Sequence, residues 1–267
     1  MSESNYLMES SEEFVRLDKK TNTAVVEKQA RWAGLTSGMR VADLGCGSGK
    51  TTATLHQLAQ PGGQTVGVDI SKERIDYAVK NYGGEDLEFI CLDVRDSLDT
   101  LGSFDFIWVR FLLEYYRVES FDLVRNIIKS LKLGGQLCLV DLDHNCLSHY
   151  GASPRLERTV SNLMKDLQNK ANFDPYVGRK LYSFLYDLGF QDIRVDVAGH
   201  HVIYGELQDN DAFNWLKKVE IAPRKIGYQF DEYKGGYDEF LDEFKAYFND
   251  PRRFVYSPII CCTGRSA

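Results

Sequence analysis

Twelve residues, Val41 to Thr52, read VADLGCGSGKTT and concentrate the chemistry-bearing types of this chain. The tail Gly49-Lys50-Thr51 matches the end of a phosphate-binding loop. That loop needs glycine five positions before the final one, and Leu44 stands there, so the backbone nest that would wrap a phosphate is one residue short. A dinucleotide turn fares no better, because its third glycine falls on Lys50. What remains is an acid, Asp43, followed by three alternating glycines, Gly45, Gly47 and Gly49, with Asp69 twenty residues further on. Glycine lets a chain turn sharply and lets a ligand approach the backbone without meeting a Cβ. An acid closing the next strand is placed to accept both hydroxyls of an adenosine ribose.

These residues need a scaffold that brings two strand ends together. Short apolar runs supply it, at Met39 to Leu44, Gln64 to Ile70, Leu87 to Leu92, Phe104 to Val109 and Gln136 to Leu142. Helical patterns separate them, and the alternation predicts a parallel sheet wound by crossovers. Ser71 is placed to cap a helix running to Tyr82 and stopped by Gly83-Gly84. Ser120 is placed to cap another, with Val124, Ile127 and Leu131 on one face and Gly134-Gly135 as its stop.

Composition limits the partners. The 267 residues carry a formal charge of -7, are 43% hydrophobic and 27% charged, and include no apolar run long enough to span a bilayer. An acidic balance argues against a nucleic-acid or anionic-membrane partner, since phosphate neutralisation requires clustered cations. The polar, acidic start MSESNYLMESSEEF lacks a signal-peptide pattern, so the expectation is a cytoplasmic protein. Six cysteines form no C-x-x-C pair, and Cys91 and Cys138 sit in apolar runs; buried thiols are expected, and no metal site.

In VADLGCGSG, VGVDIS, LEFICLDVRD and LKLGGQLCLVD the chain resembles class I S-adenosylmethionine-dependent methyltransferases, over most of residues 35 to 200. The resemblance implies an α/β fold with a doubly wound, mostly parallel, seven-stranded Rossmann-like sheet. It implies S-adenosylmethionine as cofactor, held by Asp43, the turn Gly45, Cys46, Gly47 and Gly49, and the ribose acceptor Asp69. Asp93 would then meet the adenine amino group, while Ile70 and Val94 cover the ring. Tyr6 and Arg16 resemble part of an N-terminal arm that folds over the cofactor, and Arg16 or Arg110 would hold the methionine carboxylate, since a guanidinium fork matches that group.

Beyond Leu142 the chain exceeds a bare cofactor domain. Leu156, Val160, Leu163, Met164 and Leu167 keep helical spacing, as do Tyr237, Phe240, Leu241 and Phe244. The expected organisation is an arm at 1–34 and a core at 35–204 with a helical insertion at about 145–175. A helical substrate lid at 205–250 and a last core strand at 251–267 complete it. Strand six is expected at Asp192 to Val197, and regular pairing of the last strand only after Pro258, which lacks a ladder donor.

A sulfonium methyl is already activated, so the acceptor mainly has to be held in line and kept dry. A small-molecule acceptor with an oxygen, nitrogen or carbon nucleophile is expected. His144, directly after the fifth strand, is the candidate base; Tyr115, His149 and Tyr237 are candidate acceptor contacts, and His200-His201 are placed after strand six. The alternatives are a non-catalytic protein that binds the same cofactor and, further off, a P-loop-like nucleotide binder.

Overall fold

The computed structural model describes residues 13–267. Its strands in chain order are β1 (Arg40–Leu44), β2 (Gln64–Asp69), β3 (Leu87–Cys91), β4 (Phe104–Arg110), β5 (Leu131–Leu142), β6 (His149–Tyr150), β7 (Gln191–Ile203) and β8 (Phe254–Arg265). The first five pair in parallel in the order β3-β2-β1-β4-β5. β8 lies antiparallel beside β5, and β7 pairs antiparallel with β8, so β7 runs parallel to β5. The two-residue β6 pairs with the start of β8 and brings the mixed sheet to eight strands.

The core strands are apolar on both faces because helices cover both. Trp108 and Phe106 of β4 point into a cluster with Val26 and Ala30 of α2 (Thr23–Ala33) and Leu55 of α3 (Lys50–Ala59). Ile107 and Val109, one residue out of phase, meet Val124 and Ile127 of α5 (Ser120–Ile127) and Leu181 and Leu185 of α7 (Leu181–Asp187) on the other side. The switch of strand order at β1 and β4 opens a crevice at their carboxyl ends, where a ligand meets the first glycine turn.

Several local expectations need correction. Ser71 caps α4 (Lys72–Tyr82), accepting from the Arg74 N–H at 3.4 Å, but Ser120 is the first residue of α5, and Glu119 holds the cap position without a side-chain bond. Helix α5 stops at Ile127 in a short 3-10 turn. Gly134-Gly135 lie inside β5, where pairing with β4 shifts register, so they shape a strand and do not end a helix. β7 runs on to Ile203 and contains His200 and His201. β8 pairs from its first residues despite Pro258; the proline carbonyl accepts from the Asp143 N–H at 2.9 Å, and only the donor side goes unused. Cys91 is exposed, whereas Cys138, Cys261 and Cys262 are buried.

The C-terminal insertions pack on one another. Leu156 and Val160 of α6 (Pro154–Lys170), Trp215 and Val219 of α8 (Asp209–Lys225) and Phe240, Phe244 and Phe248 of α9 (Gly236–Asn249) form one cluster with Ile203 and Val255 of the sheet. Their aromatic stripes therefore anchor the helices. Helix α1 (Glu13–Lys20) docks through the Phe14 ring, 4.8 Å from Tyr77, and through Lys50 Nζ, which donates to the Asp18 carbonyl at 2.9 Å. No helix among the described residues is long and apolar enough to cross a membrane.

Candidate active site

A cavity of about 300 Å3 opens at the carboxyl ends of β1, β2 and β4. Its floor is the glycine turn. The N–H groups of Gly45 and Cys46 donate to the Val68 carbonyl at 2.8 and 2.9 Å, which ties the turn to β2. Gly45 and Gly47 have φ of 83° and 54°, and a Cβ on either would come within 3.1 Å of Leu112 or Leu17. Those are the positions where the backbone itself forms the wall. Gly49 does not line the cavity; it holds the N-cap position of α3 and packs against Ala78 and Phe89.

Asp69 faces this cavity with its carboxylate held on both oxygens. Oδ2 accepts from the Gly47 N–H at 2.9 Å; Oδ1 accepts from the Ser71 N–H at 2.9 Å and from Arg74 Nε at 3.0 Å. Ile70 and Val94 line the same space, as do Leu17 of α1 and Thr21 just beyond it. Asp93 does not. Its oxygens are taken by Arg95, whose Nε lies 2.9 Å from Oδ2, and Arg95 lines the cavity in its place. Asp43 also sits behind the wall, accepting from Thr52 Oγ1 at 2.7 Å; burial pushes its carboxyl up to about 7, while Thr52 and Arg110 pull the other way. Arg110 does reach the cavity, and burial lowers its guanidinium to about 10 against the pull of Asp43 and Asp141.

A second cavity, about 80 Å3, meets the first at Glu114 and Tyr115, which line both. Its walls come from α6, α8 and α9 and are mainly apolar, with Leu163, Met164, Val219 and Phe244 among them. Two cations interrupt them. Arg16 of α1 is 4% exposed and donates from Nη1 to Asn214 Oδ1 at 2.7 Å, and Lys218 Nζ lies 4.7 Å over the Trp215 ring. Glu114 accepts from Asn145 Nδ2 at 2.7 Å, and its charge, after burial, helps push the neighbouring Asp141 carboxyl far above the usual range.

His149 lines the second cavity with its ring 5.3 Å from Trp215 and 5.8 Å from Tyr247. Burial, with Lys218 adding repulsion, lowers it to about 4, so it is neutral near pH 7. Its Nε2 is buried without a hydrogen-bond partner among the described residues. Because the folded value lies below the ordinary 6.5, this ring's contribution to stability is complete above about 6.5 and is lost as pH falls through about 4. His149→Phe is therefore expected to remove about 3 kcal/mol of the stability lost between pH 7 and pH 4, read by denaturant unfolding at the two values. Parallel losses in both proteins would refute this.

Other expected residues stand elsewhere. His144 is exposed, edge-on to Tyr176 at 5.2 Å and outside both cavities. The backbone is left-handed at His144 and at Cys146, and the intervening turn directs Asn145 and Cys146, not His144, to the cavity. Tyr237 lies outside both cavities, against Phe230 at 5.4 Å and under the Arg224 guanidinium. Arg16 is in the second cavity, not the first, and Tyr6 lies outside the described residues. Lys218 and Trp215 went unnoticed in the sequence because α8 carries no motif. Among the described residues no group of three or more histidine, cysteine or acidic side chains is arranged to hold a metal.

A methyltransferase-domain family model matches residues 41–135, the segment holding the turn, Asp69 and β3. Juvenile hormone acid O-methyltransferase of Bombyx mori is 32% identical over 241 residues, covering 85% of this chain and 81% of that protein. The chain belongs to the class I S-adenosylmethionine-dependent methyltransferases. The methyltransferase shares its fold with a crystal structure from Bacillus halodurans described as a putative methyltransferase, at a TM-score of 0.57 and 16% identity, covering 91% and 98% of the two chains. It also resembles phosphoethanolamine N-methyltransferase 2 of Haemonchus contortus, solved with S-adenosylmethionine, at a TM-score of 0.53 and 17% identity, over 91% of this chain and 52% of that one. The first cavity fits that cofactor: Asp69 and the bare backbone of Gly45 and Gly47 line one side, and Ile70 and Val94 offer an apolar pair for a flat ring.

Proposed function

We propose that this methyltransferase esterifies the carboxylate of an apolar small molecule. The observation that carries the reading is the second cavity, an apolar chamber joined to the cofactor cavity at Glu114 and Tyr115 and holding the cations Arg16 and Lys218. An apolar wall favours a hydrocarbon body, and the buried Arg16 guanidinium with the half-buried Lys218 ammonium favours an anionic end. The relative from Bombyx mori carries an acid and an O-acceptor in its own name, which agrees.

When bound, S-adenosylmethionine supplies a methyl group activated by a sulfonium. In the same reading Asp69 accepts from the ribose, Ile70 and Val94 cover the adenine, and Arg110 faces the methionine end, with Asp43 bracing the turn through Thr52. Arg16 and Lys218 hold the acceptor's charge in the second cavity, and the walls of α6 and α8 exclude water around it. A carboxylate arrives ionised, so no protein base is required. His149, lowered to about 4, is a poor base near pH 7, and this weighs against an alcohol or ammonium acceptor that must first lose a proton. The net charge of -7 and the small, mainly apolar second cavity favour a small acceptor over nucleic acid.

The test is transfer from methyl-labelled cofactor to saturated carboxylic acids of graded length, beside the matching alcohols and amines. Base-labile label on the acids is expected. Label on alcohols or amines with none on acids would overturn the reading.

A further inference from the structure

The acceptor cavity is closed on the side of α8 and α9 by a wall with a second hollow behind it. Trp215 and Phe244 line the acceptor cavity and also line a third cavity of about 160 Å3, bounded by Leu207, Leu216 and Phe248. Trp215 is 2% exposed, with its ring centroid 5.1 Å from Phe248 and 6.5 Å from Phe244. Its Nε1 is buried without a hydrogen-bond partner among the described residues, so ring packing and the overlying Lys218 charge hold it in place. The space in front of the ring, about 80 Å3, is small beside the roughly 300 Å3 or more that encloses a drug-sized ligand.

We propose that Trp215 is a specificity-determining residue that sets the length of the acceptor's apolar chain. This rests on the carboxylate reading. With the charged end at Arg16 and Lys218, whose Nζ lies over the indole, the chain runs along the walls of α6, α8 and α9, and Trp215 stands between that space and the third cavity. A chain that fits in front of the ring is held in a dry apolar slot. A longer one meets the indole edge and must displace a ring wedged among Phe244, Phe248 and His149. Shortening the side chain joins the second and third cavities and lets the chain pass between α8 and α9 toward Leu207 and Leu216.

The experiment measures kcat/KM for the acid series with the wild type, Trp215→Leu and Trp215→Ala. Trp215→Leu is included because it keeps an apolar filler if the alanine variant does not fold; cooperative melting is checked for each. Discrimination in an apolar slot runs to roughly tenfold or more for each methylene, so the ratio of long to short acids is expected to rise at least about tenfold in a folded variant. An unchanged ratio in a folded variant that still esterifies acids overturns the proposal and leaves the carboxylate reading standing. A wild type that esterifies no acid overturns that reading instead. Thermal stabilisation by uncharged alkyl amides of graded length, measured with S-adenosylhomocysteine, then tests the wall without any transfer. A length cut-off that shifts in the variant supports the role of Trp215, and one that does not shift rejects it.

Discussion

Asp69→Ala is expected to weaken S-adenosylmethionine binding by roughly 30- to 150-fold, the equivalent of about 2–3 kcal/mol of charge-assisted hydrogen bonding. Calorimetric titration reads this directly. The variant is also expected to be less stable without ligand by about 3 kcal/mol, because Asp69 and Arg74 are buried against each other, with Arg74 Nη2 2.9 Å from Oδ1. The two effects separate in a double-mutant cycle with Arg74→Met. The stability loss should shrink when the cation leaves too, whereas the ribose contribution belongs to Asp69 alone and should persist. Asp69→Asn sharpens the test, since its one amide oxygen can accept from either the Gly47 or the Ser71 N–H but not both, and the shape of the side chain is otherwise kept. Unchanged cofactor affinity in a folded Asp69→Ala protein would mean that the carboxylate serves the turn and Arg74, and not the ribose.

The cofactor half was legible because it is written in backbone chemistry. Gly45 and Gly47 must be glycine where Leu112 and Leu17 crowd the Cβ position, and Asp69 must close β2 to reach the Gly47 N–H; such demands leave a fixed spacing in the sequence. The second cavity left no such trace. Its walls are helix faces whose apolar spacing follows from packing alone, so Phe240 and Phe244 read as ordinary stripes although Phe244 faces two cavities. His144 stands outside both cavities because proximity to the end of β5 fixes only the position of the chain, and the left-handed turn there decides which side chain points inward. Asp93 is a different case. Its place at the end of β3 is as expected, but the neighbouring Arg95 claims both oxygens.

Arg16 is where the sequence and the structure lead to opposite measurements. Read from its place in the arm, it would grip the methionine carboxylate, and its loss would raise the cofactor Kd. In the folded chain Leu17 turns to the first cavity while Arg16, one residue earlier, turns to the second, proposed to hold the acceptor, and to Asn214 of α8. Arg16→Met is therefore expected to raise the acid's KM by roughly 10- to 100-fold, the range for one charge-assisted hydrogen bond, with the cofactor Kd within about twofold of wild type. Methionine keeps most of the side chain's apolar length, which limits the packing loss. Asn214→Ala is the companion variant, because it cuts the tether between α1 and α8 while leaving the guanidinium in place. If Arg16 reads the acceptor's charge, Asn214→Ala should cost far less in KM than Arg16→Met. Equal costs would show that arm docking, not charge recognition, is what Arg16 provides, and a loss confined to the cofactor Kd would return the residue to the role its sequence position suggests.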